Sequence, residues 1–179
     1  MSQEQQKTKK RKNALLVDSS RCVGCFSCEV ACKLEHDLPA GPRMFKVIQM
    51  GPMENDSHLV MSFMAVTCLH CDRPACVSAC PTGAMRKRAD GIVFSDPELC
   101  IGCQTCAIAC PFGVPQLNPG TGKIAKCDGC MVRVEQDLWP ACVLKCPTGA
   151  LAFGSTTRVV QEIRQQEAMK IARSLKLDT

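Results

Sequence analysis

The tightest constraint on this 179-residue chain is its sixteen cysteines, which fall into four groups of four with none left over. The groups are Cys22-Cys25-Cys28-Cys32, Cys68-Cys71-Cys76-Cys80, Cys100-Cys103-Cys106-Cys110 and Cys127-Cys130-Cys142-Cys146. In a short secreted chain this richness would suggest a disulfide scaffold. Here residues 1–13 are basic and polar, and the apolar run 14–17 is shorter than the ~7–15 residues of an export signal core. The run Lys9-Lys10-Arg11-Lys12 also lacks the paired-arginine export pattern. No stretch approaches the ~20 apolar residues of a membrane span. The expectation is a chain with no direct membrane span, placed in the cytoplasm, where thiols stay reduced.

Groups one and three have the C-x2-C-x2-C-x3-C spacing that holds iron–sulfur cubanes in bacterial ferredoxins. Three close cysteines on a loop cap three iron corners, and the fourth, one helical turn on, reaches the other cluster of a pair. Group two widens one gap, from Cys71 to Cys76, and group four widens another, from Cys130 to Cys142. A proline follows the last cysteine in groups two, three and four: Pro81, Pro111 and Pro147. Sixteen thiolates suffice for four [4Fe–4S] clusters. The competing chemistry is structural zinc, since C-x2-C with C-x3-C also suits a four-cysteine zinc site. A zinc-binding interaction module is therefore the rival class, and colour separates the two, brown against colourless.

The formal charge of +5 does not indicate a nucleic-acid partner. Much of it comes from Lys7, Lys9, Lys10, Arg11 and Lys12 in the tail. Each oxidised cluster with its four thiolates carries about −2, so the loaded chain is net acidic behind a basic tail. That tail reads as a solvated segment, or as a docking element for an acidic partner.

Between the cysteine groups the elements are short. Residues 14–18 read as a strand, 26–36 as a helix carrying Cys28 and Cys32, and 59–66 as a strand. The Pro-, Gly- and Met-rich stretch 39–52 reads as a surface excursion. Residues 84–88 and 92–95 flank Asp90-Gly91, a strong hairpin signal. A second turn falls at 118–122, and 150–153 form a last strand. Residues 155–176 hold no Gly, Pro or Cys and favour a helix about 30 Å long. Their stripe of Val160, Ile163, Ala168, Ile171 and Leu175 suits packing on the chain's own core, on a partner, or on a second copy in self-association.

Two internal echoes indicate a two-cluster unit used twice. Arg21-Cys22-Val23-Gly24-Cys25-Phe26-Ser27-Cys28 parallels Leu99-Cys100-Ile101-Gly102-Cys103-Gln104-Thr105-Cys106. Cys80-Pro81-Thr82-Gly83-Ala84 recurs as Cys146-Pro147-Thr148-Gly149-Ala150. Spacing alone leaves open which groups share clusters, and duplication would suggest adjacent pairing.

From about 14 to 153 the chain resembles the four-cluster electron-transfer subunits of molybdenum and tungsten pterin oxidoreductases. The resemblance is most specific from Lys126-Cys127-Asp128-Gly129-Cys130 through Pro140-Ala141-Cys142 to Cys146-Pro147. Lys33, after Cys32 where ferredoxins have proline, also fits. The resemblance implies an α+β fold: two ferredoxin-like dicluster lobes with short hairpins and helices, plus a C-terminal helix. On that reading 1–13 is a basic flexible tail, 14–154 the four-cluster domain, and 155–179 a helical extension. Lobe one takes 14–50 and 124–154, and lobe two takes 58–117. The resemblance also implies nested pairing of the groups. Cys22, Cys25, Cys28 and Cys146 would hold one cluster, and Cys127, Cys130, Cys142 and Cys32 a second. Cys68, Cys71, Cys76 and Cys110 would hold a third, and Cys100, Cys103, Cys106 and Cys80 a fourth.

The implied function is non-catalytic relay of single electrons between a pterin-metal catalytic subunit and a second redox partner, a flavoprotein, hydrogenase or ferredoxin. Within the family a tungsten aldehyde oxidoreductase is the first expectation, with a formate dehydrogenase or hydrogen-dependent carbon dioxide reductase as the alternative. No dinucleotide motif, phosphate loop or nucleophile–base set is present in the sequence. Lys33, Lys126 and Lys145 are candidates for tuning cluster potentials. His36, His58 and His70 show no catalytic pattern, and His70 beside Cys71 suits packing or a hydrogen bond to sulfur. Met44, Met50, Met53, Met61 and Met64 suit an irregular core or interface, and Trp139 suits packing of the long insertion in group four.

Overall fold

A computed structural model describes residues 13–56 and 58–175. The basic run Lys7 to Lys12 lies outside the described residues. In chain order the elements are β1 (Asn13–Val17), α1 (Ser27–Glu35), β2 (Lys46–Asn55), β3 (His58–Val66), α2 (Ala75–Ser78), β4 (Met85–Lys87) and β5 (Val93–Ser95). There follow α3 (Thr105–Ala109), β6 (Gln116–Asn118), β7 (Lys123–Ala125), α4 (Met131–Glu135), α5 (Ala141–Leu144), β8 (Leu151–Ser155) and α6 (Thr156–Ser174). The strands form four antiparallel pairs, β1 with β8, β2 with β3, β4 with β5 and β6 with β7.

One long-range pairing organises the rest. β1 lies against β8 with Leu15 opposite Phe153 and Val17 opposite Leu151. This ladder draws the segment before Cys22 onto the segment after Cys146, and α1 packs on α5 beside it. α2 packs on α3 in the middle of the sequence. Two cores result. The first gathers Met44, Phe45, Val47, Val143 and Leu151 around Cys28, Cys32 and Cys142. The second gathers Ala84, Met85, Val93 and Ile124 around Cys76, Cys100 and Cys106. Cysteines occupy the places that aromatic side chains fill in ordinary cores, in keeping with one Trp, no Tyr and six Phe in the chain.

The hairpin expected around Asp90-Gly91 is present, with Lys87 opposite Val93 and the Gly91 N–H donating to the Arg88 carbonyl. The excursion expected over 39–52 is largely a strand instead. β2 runs ten residues alongside β3, with its register shifting between Met50 and Met53. Gly51 and Pro52 fall at that shift, where a residue without an N–H does not interrupt the ladder. Buried Phe45 and Val47 anchor the start of the strand. Inside helix α1, the buried Glu29 carboxylate accepts from the Val47 N–H at 2.5 Å and from Arg43 at 3.1 Å. Lys33 donates to the carbonyls of Pro39 and Pro42, which clips the intervening loop onto the helix.

Packing departs from the expected lobe bounds at two places. Phe63 and Ala65 of β3 pack on the first core, so 58–66 sides with that core and not with the segment expected to begin at 58. Ile124 packs in the second core although 124 was assigned to the first lobe. Of the methionine set only Met44 is buried, while Met50, Met53, Met61 and Met64 stand exposed along the β2–β3 hairpin. α6 folds back over β8 and β1 at its beginning, where Val159 is buried, and Arg158 sits 5.8 Å over the exposed Trp139 ring. Among the described residues no helix is long and apolar enough to cross a membrane.

Candidate metal centres

The duplicated motifs are duplicated in backbone conformation. Gly24 and Gly102 adopt φ +66° and +71°, and Phe26 and Gln104 adopt φ +58° and +60°. This left-handed pair of steps hooks each loop so that its three cysteines converge, and α1 or α3 then starts. At Gly102 a Cβ would sit 2.2 Å from the Gly122 carbonyl oxygen, so glycine is required by space as well as by torsion. The second echo is equally close. Val77 and Val143 donate to the carbonyls of Pro74 and Pro140, and Gly83 and Gly149 to those of Cys80 and Cys146.

Four cavities receive the cysteines. Cys22, Cys25, Cys28 and Cys146 line one, walled by Val17, Val47 and Leu151. Cys32, Cys127, Cys130 and Cys142 line a second, which also touches Cys68, His36 and His70. Cys68, Cys71, Cys76 and Cys110 line a third together with Lys126. Cys80, Cys100, Cys103 and Cys106 line the fourth, walled by Ala84, Met85 and Ile124. Each quartet draws three cysteines from one group and one from another. The quartets also follow one another: Cys28 lies within electrostatic reach of Cys32 and Cys142, Cys127 of Cys68, and Cys106 of Cys76. We call the quartets of Cys25 and Cys103 outer, and the two between them inner.

The donor chemistry fits an iron–sulfur cubane: four sulfurs in a mostly apolar enclosure, supported by N–H and O–H groups. Burial pushes the Cys28, Cys106 and Cys130 thiols up to about 11. It raises Cys32, Cys76, Cys127 and Cys142 as well. Bare thiolates are thus disfavoured there, and a bound metal must supply the charge that displaces the protons. The exposed thiols run the other way. Hydrogen bonds from Ser27 and Thr105 lower Cys25 and Cys103.

Donors to sulfur differ between the quartets. Thr82, Thr105 and Thr148 place hydroxyls 3.4–3.7 Å from Cys80, Cys103 and Cys146. The Cys32–Cys127–Cys130–Cys142 quartet has two imidazoles and the Thr67 hydroxyl, while Cys68 of the other inner quartet accepts from the His70 backbone N–H at 3.3 Å. His36 Nε2 lies 3.6 Å from Cys130 Sγ and 3.5 Å from Asp128. His70 Nδ1 accepts from the Val93 N–H at 2.9 Å, which leaves the proton on Nε2, 3.8 Å from Cys127 Sγ. Burial lowers His70 to about 4, so the ring is neutral near pH 7. Lysines brace the loops from behind: Lys87 donates to the Cys71 and Asp72 carbonyls and Lys123 to that of Cys100.

Sequence reasoning left His70 between packing and a sulfur bond without naming Cys127, and missed the donor at His36, ninety-four residues from Cys130. It also missed the hydroxyls, although a Cys-x-Ser/Thr repeat at Cys25, Cys80, Cys103 and Cys146 marks them. His58 is exposed and lies at the start of β3, away from every cavity lining described above.

Converging cysteine quartets in a small duplicated α+β scaffold define an iron–sulfur protein of the dicluster ferredoxin class. Two family profiles, both described as 4Fe-4S dicluster domain, match residues 21–84 and 59–156. The probable anaerobic dimethyl sulfoxide reductase chain YnfG of Escherichia coli K12 is 42% identical over 157 residues, covering 84% of this chain and 75% of the relative. The thiosulfate reductase electron transfer subunit PhsB of Salmonella typhi is 45% identical over 142 residues, covering 78% and 74%. Protein NrfC of Escherichia coli K12 is 40% identical over 150 residues, covering 83% and 67%. The chain belongs to this 4Fe-4S dicluster family of electron-transfer subunits of oxidoreductase complexes. It is a non-catalytic member carrying four [4Fe–4S] clusters.

Proposed function

We propose that the chain relays single electrons between a pterin-metal catalytic subunit and a second redox carrier, with one cluster in each quartet. The observation that carries this reading is the succession of four quartets from exposed Cys25 to exposed Cys103. When bound, each cluster supplies a one-electron store. The chain's own residues set the order of the four sites and direct N–H and O–H groups at sulfur.

The nested ligand sets are supported by which cysteines share a cavity. The two-lobe division is supported by the two separate cores, with the hairpin 46–66 counted with the first. Both ends suit partners. Val23, Val30, Leu34 and Leu144 stand exposed around Cys25, and Ile101 and Ile108 around Cys103. The catalytic subunit docks at one of these ends and the second carrier, a flavoprotein, hydrogenase or ferredoxin, at the other.

The relatives' names support a reductase of an oxidised sulfur compound as the catalytic partner. They lend no support to tungsten, to an aldehyde, or to formate and carbon dioxide as substrates. A cytoplasmic site is proposed because all sixteen cysteines are free of disulfides, as clusters require. Self-association through α6 is supported by its exposed Val160, Ile163, Met169 and Ile171. Light scattering of the full chain against one lacking 156–179 tests it, and equal particle sizes would reject it.

Purification of the native complex tests the main reading. Iron and sulfide together with molybdenum or tungsten in a companion chain is the expected result. Purification alone, without any metal-bearing companion, would count against it.

A further inference from the structure

Lys126 is set apart from the other lysines by its surroundings. It is 5% exposed. Its ammonium donates to the carbonyl oxygens of Val93 and Cys127, each at 2.5 Å, and among the described residues no carboxylate pairs with it. The side chain lines the Cys68–Cys71–Cys76–Cys110 cavity, while its backbone leads directly into Cys127 of the neighbouring quartet. Lys33 spends its donors on Pro39 and Pro42, and Lys145 is exposed.

A buried cation with only carbonyl dipoles for company is costly unless negative charge lies next to it. Here a cysteine quartet lies on either side, each carrying negative charge once it holds a cluster. The same attraction runs in reverse, because a cluster that gains an electron becomes more negative and is favoured beside a fixed positive charge. His70 adds to this from the other side of the junction. Val93 donates its N–H to His70 and accepts from Lys126 through its carbonyl, so one residue of β5 orients both groups. The imidazole N–H then faces Cys127.

We propose that Lys126 is a shared counter-charge for the two inner quartets, favouring the electron-loaded state of both and making the centre of the relay its electron store. This rests on the assignment of one [4Fe–4S] cluster to each quartet. Lys126 is a positioning and tuning residue, not a catalytic one.

The test is a redox titration of the full chain, prepared anaerobically and followed by paramagnetic resonance, for the wild type, Lys126→Gln and Lys126→Arg. Cys25→Ser and Cys103→Ser mark which waves belong to the outer quartets. In Lys126→Gln the two inner couples lose about tenfold in electron affinity, about 59 mV for a one-electron couple. The outer couples stay in place, and Lys126→Arg keeps all four near their wild-type positions. The proposal is overturned if no wave moves, if only the outer waves move, or if all four move equally. If Lys126→Gln loses its inner clusters while Lys126→Arg keeps them, the charge is again the cause; loss in both variants overturns it. Failure of the underlying assignment looks different, since the wild type itself would then lack about sixteen iron atoms.

Discussion

Outer and inner quartets alike bring four cysteines to one cavity and differ in what surrounds them. Each outer quartet includes one exposed cysteine, Cys25 or Cys103, with hydroxyls from Ser27 and Thr148 or from Thr82 and Thr105 near its sulfurs. Neither inner quartet has an exposed cysteine. The imidazoles of His36 and His70 both face the Cys32–Cys127–Cys130–Cys142 quartet, and the other has the His70 backbone N–H on Cys68 and the buried Lys126 in its cavity. Cluster potential depends on hydrogen bonds to sulfur, net charge and solvent exposure. Duplicated motifs thus place like cysteine sets in unlike surroundings, which is what the proposed exchange at the ends and storage between would need.

The largest expected difference comes from removing one ligand in each class. Cys142→Ser, in the first core beside Cys28 and Cys32, should cost more than one cluster and much of the cooperative fold, because site formation and folding are coupled. Cys103→Ser, on an exposed loop, should cost a single cluster and leave the chain folded. Iron content and thermal melts measure both, and equal losses would erase the distinction between inner and outer sites.

The glycine pair compares the two halves next. Gly102→Ala meets the Gly122 carbonyl, whereas at Gly24 the nearest atoms belong to the Phe63 ring, which can rotate. The left-handed backbone alone costs about 1–3 kcal/mol in either case. Gly102→Ala should be the more destabilising in a denaturant melt, and the opposite order would mean that the backbone near 122 yields.

A smaller effect separates the two kinds of sulfur donor. Thr105→Val removes a hydroxyl from an outer quartet, and His36→Phe an imidazole from an inner one. Each should favour the oxidised state by about 1 kcal/mol at its own site only. A redox titration with both waves displaced in both variants would contradict independent tuning. Smallest of all, Arg158→Ala should lower stability by about 0.5–1 kcal/mol through the lost Trp139 contact, with the potentials unmoved.

The cysteine groups were legible because ligand spacing is local, and so were the Asp90-Gly91 hairpin and the cysteine-free helix near the end. Which cysteines share a cavity was not legible in the spacing and came only from the family resemblance, because it depends on β1 meeting β8 across most of the sequence. The β2–β3 hairpin was hidden by Gly51 and Pro52, which look like breakers until their place at the register shift is known. Lys126 could be picked out as a lysine beside a ligand, but its burial is a property of β5 packing over it. His36 became a sulfur donor only through the contact of α1 with the loop before α4.

The central claim is that every quartet holds a cubane of iron and sulfide. Iron analysis of anaerobically purified full chain, with paramagnetic resonance after reduction by dithionite, tests it most directly. About sixteen iron atoms per chain and the signals of interacting [4Fe–4S] centres are expected. Colourless protein with about four zinc atoms and no resonance signal would contradict it.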